Sequence, residues 1–456
     1  MRRLDMALGG TGGFAAIWGR RRVGKSRLLI EWSRRQNGLY TVADASSPAV
    51  QRQYLATATA TRFPGFADVE YPDWRSFLDR LSVESAQANW PGPFIIDELP
   101  YLVAADPAIT AILQNWLDAP RPRPCLVVSG SSQQMMHGAL LDADAPLYGR
   151  ASEAFAIRPL QAKHLAEAFP RAGSRTLVSL HALWGGMPRY WELAQRFGSD
   201  LEAAVDTLVL DPAGALHDEP NRLLREETPP ATALRPLLDV IGAGAHRASE
   251  IAGRLGKPAS TLARPLATLT AMKLVRREIP FDSNPKSGKR SLYRIDDPFL
   301  RLWFRVVAPN RAMLADAPRE TRLAYWQRHR PHLEAAAWEE LCRRCVPFLH
   351  RGDNALARLG PWQPAQRYWR GNDPEFDLVA RSVDEQRLLV GEAKWSTREA
   401  PTGAHPRPGW DRLPGAGERE VVHACFVPQS GQPTDRGAGV HLLDANSVLD
   451  ALGRQA

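Results

Sequence analysis

No run of apolar residues in this chain reaches the roughly 18 that a membrane-spanning helix needs, and the basic N-terminus is followed by neither an apolar core nor a secretory cleavage site. A soluble, cytoplasmic protein with no membrane partner is expected. Cysteine is scarce: Cys125, Cys342, Cys345 and Cys425 are too few in 456 residues for a disulfide framework, and reduced thiols suit a cytosolic setting. Cys342 and Cys345 form a CxxC, but the stretch Trp338 to Val346 has helical spacing and lacks a second CxxC or paired histidines. Core packing is therefore expected in place of a zinc site. An acidic excess is missing as well, since the formal net charge is +8. Abundant arginine and 37 prolines fit a GC-rich genome that raises arginine everywhere, so charge by itself selects no partner. The length exceeds what one core supports and predicts roughly two to four domains.

What is present is concentrated near the start. Gly19-Arg20-Arg21-Arg22-Val23-Gly24-Lys25-Ser26 matches the phosphate-binding loop at every fixed position. Ala15 to Trp18 before it reads as the end of a buried strand, and Arg27 to Trp32 after it carries apolar residues at helical spacing. Strand, loop and helix are the setting this motif needs, because the glycines let backbone N–H groups turn toward the phosphates and the helix adds its positive end. Lys25 would reach the β and γ phosphates of ATP, and the Ser26 hydroxyl would hold Mg²⁺.

Residues 33–90 carry no motif. Phe94-Ile95-Ile96-Asp97-Glu98-Leu99 follows a Pro-Gly-Pro break, and an apolar run ending in two carboxylates is how a central strand delivers them to the phosphate-binding edge of a parallel sheet. Asp97 would bind Mg²⁺ and Glu98 would orient the attacking water. Cys125 to Ser132 is another buried strand, whose terminal hydroxyls, Ser129 or Ser131, would sense the γ-phosphate or merely cap a turn. Arg150 precedes a further strand, Glu153 to Ile157, and would either stabilise charge on the transferred phosphoryl group or be one more surface arginine.

From Gln161 to Leu210 the pattern is helical with a Gly185-Gly186-Met187-Pro188 interruption, and 211–230 reads as a linker. Residues 231–296 read as three helices with a tight middle turn followed by a β-hairpin, a winged helix-turn-helix. Pro265 falls inside the third helix, where it would kink it. Over 231–330 there are 19 Lys plus Arg against 8 Asp plus Glu, a net of +11, while the rest of the chain nets −3. That concentration points to double-stranded DNA as partner, although winged helices also serve as protein-interaction modules.

The remainder reads as a separate α/β domain. A helix over 333–345 precedes two strands, one carrying Asp377 and the other Glu392, followed by Lys394. Period-two alternation puts Glu392 and Lys394 on one face. An aspartate and a later Glu-x-Lys form the pattern of PD-(D/E)xK nucleases, with Glu339 as the extra carboxylate. Asp377, Glu392 and Glu339 would hold Mg²⁺ or Mn²⁺, and Lys394 would position a water. The competing reading is a structural ion-pair cluster.

The chain as a whole resembles a family of prokaryotic ATPases of the AAA+/STAND lineage with a C-terminal nuclease-like domain. The likeness rests on the phosphate loop 19–29, FIIDELPYL at 94–102, LVVSGSS at 126–132, PLYGR at 146–150, GGMPRYW at 185–191, YRIDDPFLRLWFRVVAPNR at 293–311 and the strands at 376–382 and 391–395. It implies that Lys25, Ser26, Asp97 and Glu98 are the ATPase residues, that Pro188 lies near the nucleotide, and that Glu339, Asp377, Glu392 and Lys394 occupy the nuclease positions. It also implies an opening Arg-Glu-x-Glu-Leu helix, of which only Met1 to Leu8 remain here. The expected architecture is multi-domain α/β: a P-loop NTPase parallel sheet over 1–160, a helical lid and linker over 161–230, a winged helix-turn-helix over 231–310, and a restriction-endonuclease-like α/β domain over 311–456. ATP-regulated action on DNA is the leading function, a signalling or scaffold switch the competing one, and a second copy of the chain a candidate partner.

Overall fold

The computed structural model describes the chain except residues 9–11, 132–134, 137, 139–143, 228–230, 285, 287, 289, 352–354, 372, 396–405, 430–438 and 454–456. It divides into two compact units, Met1–Pro159 with Leu223–Ala231, and Leu160–Arg222 with Thr232–Ala456.

The first unit is built on five parallel strands, β1 (Phe14–Trp18), β2 (Leu39–Val42), β3 (Phe94–Asp97), β4 (Leu126–Gly130) and β5 (Glu153–Ala156), in the order β2-β3-β4-β1-β5. Parallel strands need crossovers, and the helices that supply them cover both faces, which is why β1 is buried at all five positions. Its alternation sorts the core: Phe14, Ala16 and Trp18 join Phe94, Ile96, Leu126 and Val128, while Ala15 and Ile17 join Ile95, Val127, Leu29 and Trp32 on the opposite face. Residues Arg2–Leu8 form a short helix, and Asp5 accepts hydrogen bonds from Trp32 Nε1 at 2.8 Å and Gln36 Nε2 at 3.1 Å. The few residues before the first strand are thus tied to the helix Lys25–Arg35 that follows the phosphate loop.

The second unit begins with a 3₁₀ turn Ala162–His164 and a short helix Leu165–Ala168, and helices Ser174–Trp184 and Pro188–Gln195 follow, so Pro188 opens a helix at the position where its missing N–H costs nothing. The segment expected as a linker contains a helix, Glu219–Glu227. Three helical segments follow, Ala231–Gly242, Ala248–Leu255 and a 3₁₀ turn Ala259–Leu262 running into Ala263–Ala271. Pro265 lies in the first turn of Ala263–Ala271, where backbone N–H groups have no intrahelical partner anyway, and the expected kink is replaced by a helix start. Strands β6 (Val275–Glu278) and β7 (Leu292–Ile295) pair as an antiparallel hairpin. Of its tip, Pro285, Ser287 and Lys289 lie outside the described residues.

A helix of 27 residues, Arg319–Cys345, then runs through Pro331 and extends well beyond the expected 333–345. Its packing against Ser174–Trp184 and the last sheet outweighs the hydrogen bond that the proline deletes. That sheet is mixed, in the order β12-β11-β10-β9-β8, from β8 (Gln366–Tyr368), β9 (Phe376–Arg381), β10 (Arg387–Ala393), β11 (Glu420–Phe426) and β12 (Val440–Leu443). Strands β8, β9 and β10 run antiparallel, and β11 and β12 add in parallel to β10. Among the described residues no helix is long and apolar enough to cross a membrane.

Candidate functional site

The phosphate loop leaves β1 at Gly19, where a Cβ would lie 2.5 Å from the carbonyl oxygen of Ile157; only glycine lets the chain pass there. Gly24 caps the helix Lys25–Arg35 at φ 99°, a conformation that side chains disfavour. Lys25 is buried, and its Nζ donates to the carbonyls of Gly19 at 2.8 Å and Arg20 at 3.4 Å. The ammonium therefore sits inside the turn of its own loop, where the phosphates of a nucleotide would replace those carbonyls. Arg20, Arg21, Arg22 and Val23 form the turn itself, with Arg22 at φ 66°.

Because β4 separates β1 from β3, the acidic strand does not touch the phosphate-loop strand, and the gap is filled by side chains. Asp97 ends β3 almost fully buried. Its Oδ2 accepts from the Tyr40 hydroxyl at 2.6 Å, its Oδ1 accepts from the backbone N–H of Glu98 at 3.0 Å, and the Ser129 hydroxyl also donates to Oδ1. Tyr40 makes a further side-chain hydrogen bond with Ser26. Burial, then the hydrogen bond and charge of Asp97, push the Tyr40 phenol far above its ordinary value, so it stays a donor. Ser26 and Asp97, the two expected magnesium ligands, thus face one another across a single hydroxyl, and a hydroxyl opposite a carboxylate is a donor set that fits Mg²⁺. Tyr40 lies in a stretch without any motif; only the pairing of β2 with β3 brings it here.

Glu98 adopts φ 60°, ψ 45°, the left-handed region, as the residue before helix Leu99–Ala105. An L-residue held there stores strain of the kind that collects at functional sites. The turn swings its carboxylate away from Asp97 toward the end of β4, where Ser131 donates to Oε2 from its backbone N–H at 3.0 Å and its hydroxyl at 2.9 Å. The two serines left undivided by the sequence therefore have separate partners: Ser129 holds Asp97 and Ser131 holds Glu98. Arg150 is committed elsewhere. Its guanidinium pairs with Asp118 at 2.8 Å and donates to the carbonyls of Pro146 and Tyr148.

In the second unit, Asp377 on β9, Glu392 on β10, Lys394 just beyond it and Glu339 on the long helix share one end of the mixed sheet. Asp377 Oδ2 accepts from the Ala393 N–H at 3.1 Å, and the Asp377 carbonyl accepts from Arg343 at 3.0 Å. Glu392 is gripped from both sides, by Lys394 at 2.6 Å and by Arg407 at 2.5 Å. Burial pushes its carboxyl up, and these two cations outweigh that and hold it below its ordinary value. Glu339 behaves oppositely: burial and the neighbouring Asp377 charge raise it, with Arg343 3.6 Å away. Among the described residues no group of three or more His, Cys, Asp or Glu side chains is placed to hold a metal. Arg343 and Arg407, absent from the sequence reading, are what the carboxylates meet. Cys342 and Cys345 are fully buried in the long helix, and burial pushes both thiols up.

The expected excess of basic charge in 231–330 is partly internal. Arg276 bonds Glu278 at 2.8 Å and Glu340 at 2.6 Å, Arg301 bonds Glu340 at 3.1 Å, and Arg294 lies 3.2 Å from Glu278. Among the described residues, those that face outward on the helical segments and the hairpin are Arg247, Arg254 and Lys257 around the second helix and the turn, Arg264 and Lys273 along and after the third helix, and Arg277, Lys286 and Arg290 on the hairpin, with Arg311, Arg319 and Arg328 exposed further on.

Residues 303–403 match a family described as archaeal and bacterial proteins of unknown function, DUF234. An uncharacterized protein of Methanocaldococcus jannaschii is 27% identical over 391 residues, which span 84% of this chain and 82% of that protein. Among solved structures, the Walker-type ATPase PABY2304 of Pyrococcus abyssi is similar with a TM-score of 0.52 and 19% identity, over 67% of this chain and 94% of that one. The ORC2 protein of Aeropyrum pernix, in its ADPNP and ADP complexes, is similar with a TM-score of 0.44 and 13% identity, over 74% and 91%. The likeness to the Pyrococcus protein shows the fold: the parallel α/β core is of the P-loop NTPase type.

Proposed function

We propose that the protein binds and hydrolyses Mg²⁺·ATP in its first unit and binds double-stranded DNA with its second. The observation that carries the ATPase reading is the assembly of Lys25, Ser26, Asp97 and Glu98 at one sheet edge, each with a partner suited to its role. Lys25 would exchange the carbonyls of Gly19 and Arg20 for phosphate oxygens. Ser26 and Asp97 would hold Mg²⁺, which draws charge from the phosphates as the bond to the leaving group breaks. Glu98 would turn from Ser131 to hold the attacking water. Phosphate release by the purified chain, dependent on Mg²⁺ and abolished with nucleotide binding in Lys25→Ala, is the test. A wild-type protein that binds no ATP would remove the reading.

For DNA, support comes from three helices and a hairpin that leave Arg254, Lys257, Arg264 and Lys273 exposed on and beside the third helix, as a winged helix-turn-helix requires of its reading face. The competing use of such a module, protein contact within an ATP-driven switch, predicts no salt-dependent DNA affinity.

The C-terminal sheet supports a nuclease-like fold that binds without cutting. Glu392 would have to release both Lys394 and Arg407 before it could ligate a cation, and Asp377 is held by the Ala393 N–H. Incubating the protein with plasmid, linear and single-stranded DNA and Mg²⁺ or Mn²⁺, with and without ATP, should give no cleavage, and Asp377→Ala and Lys394→Ala should both lower the melting temperature. Cleavage that these substitutions abolish at unchanged melting would establish instead the metal-dependent nuclease that the sequence pattern suggests.

A further inference from the structure

Two adjoining cavities lie in the second unit between the β6–β7 hairpin, the long helix Arg319–Cys345 and β8. They share Arg276 and Arg343. The outer one has a volume of about 370 Å³, within the range of small-molecule sites. The inner one, about 30 Å³, exceeds the ~10–15 Å³ that one water needs.

The wall of the inner cavity is unbalanced. Arg276, Arg294, Arg301, Arg305 and Arg343 line it against a single carboxylate, Glu339, whose burial and Asp377 neighbour favour its neutral form. Three of the arginines have outside partners in Glu278 and Glu340, as described above, and Arg343 leans on Glu339. Arg305 has none: it forms no ion pair among the described residues, and its Nε–H is buried without an acceptor. The Nη1–H of Arg301 is buried without an acceptor too. His332 on the same wall registers the excess, since burial first and then Arg305, Arg294 and Arg301 push it down to about 4. Buried donors on cations are costly unless an acceptor meets them, and a neutral molecule would satisfy the hydrogen bonds while leaving the charge.

We infer that the inner cavity is a binding site for the phosphate group of a phosphomonoester, with Arg301 and Arg305 as its direct donors and the outer cavity holding the organic part. Guanidinium forks match phosphate oxygens in pairs, which an ammonium does not. The shared chemistry has two sources, a mononucleotide or the 5′-phosphorylated end of a nucleic-acid strand. The site stands apart from the ATPase reading, because all its residues belong to the second unit.

The test uses full-length Lys25→Ala protein, so that the phosphate loop does not compete. Calorimetric titration at fixed ionic strength compares inorganic phosphate, AMP, and a short single strand carrying a 5′-phosphate or a 5′-hydroxyl. We expect saturable binding of phosphate and tighter binding of one organic phosphate. AMP as the tighter ligand identifies a mononucleotide site; preference for the 5′-phosphate strand over its 5′-hydroxyl twin identifies a strand-end site. Adding Arg305→Gln should weaken binding at least about ten-fold, as loss of a charge-assisted pair does. Its melting temperature without ligand should stay level or rise, since no partner is orphaned. Arg305→Lys, which keeps charge and loses the fork, should fall between. Absence of saturable binding of inorganic phosphate, AMP and the 5′-phosphate strand alike, or unchanged affinity in Arg305→Gln, overturns the inference.

Discussion

Replacing Glu98 by glutamine separates catalysis from binding in the first unit. The backbone at φ 60°, ψ 45° accepts glutamine as readily as glutamate, and its amide oxygen can still accept from the Ser131 N–H and hydroxyl. Two charge-assisted hydrogen bonds become neutral ones in a half-buried setting, which should cost less than about 1 kcal/mol of stability. The Asp97 contacts to Tyr40 and Ser129 are untouched, so Mg²⁺·ATP affinity should change by no more than about three-fold, under 1 kcal/mol. Turnover is another matter. A positioned acid or base contributes roughly 10²–10⁴-fold, and at about 1.4 kcal/mol per decade its loss raises the barrier by about 3–5 kcal/mol. Glu98→Gly supplies the control. It relieves about 1 kcal/mol or more of left-handed strain and gives up the Ser131 hydrogen bonds, a similar loss, so its melting temperature should stay near that of the parent. Phosphate release at saturating Mg²⁺·ATP, displacement of a fluorescent nucleotide and thermal melting measure the three quantities. Either variant turning over at the wild-type rate would refute the role given to Glu98; loss of nucleotide binding in Glu98→Gln would make it a metal ligand instead.

Tyr40→Phe deletes the hydroxyl that joins Ser26 to Asp97, so the Mg²⁺ concentration for half-maximal phosphate release should shift by roughly ten-fold or less, about one hydrogen bond, and an unshifted midpoint excludes Tyr40 from the metal site. DNA affinity measured against salt should fall with a log–log slope no steeper than about −7, since the eight exposed cations of the helical segments and the hairpin, Arg247, Arg254, Lys257, Arg264, Lys273, Arg277, Lys286 and Arg290, at about −0.9 each set the limit; Arg264→Glu with Lys257→Glu should flatten it, and a salt-independent affinity would return the module to protein contact. Acid should loosen the second unit. Burial raises Glu340 and Glu278, yet arginines outweigh it: Arg276, Arg344 and Arg301 hold Glu340 well below its ordinary value, and Arg276 and Arg294 hold Glu278 at about 2. Carboxyls depressed by folding add stability that is complete above their unfolded value near about 4.3 and is lost as the pH falls below it, so Glu278 alone accounts for roughly 3 kcal/mol between about pH 4.5 and 2. Melting temperatures across that window should drop steeply in wild type and less in Glu278→Gln, and a flat profile would show that the pairs are not formed.

The sequence alone determined the parts of the first unit whose geometry is local. Gly19, Gly24, Lys25 and Ser26 belong to one eight-residue loop between a buried strand and a helix, and Asp97 and Glu98 end an apolar run, so chain spacing already dictates that they project from strand ends. It also determined the antiparallel neighbours carrying Asp377 and Glu392, because the five residues between Arg381 and Arg387 leave few ways to pair, and it placed the segments of β6 and β7, which pair across a longer loop of thirteen residues. What the tertiary structure decided are relations between segments far apart in the chain. Tyr40 reaches Asp97 across 57 positions and Ser131 reaches Glu98 across 33, through a strand order that no local pattern encodes. The same holds for β11, whose seven residues become a strand by pairing in parallel with β10. The charge count of 231–330 was correct as arithmetic and incomplete as physics. A net of +11 says nothing about direction, and only the packing of β6, β7 and the helix bearing Glu340 turns Arg276, Arg294 and Arg301 inward while Arg254, Lys257 and Arg264 stay in water. Sequence carries the sign and number of charges; burial and the partners across a fold decide which of them remain free to meet another molecule.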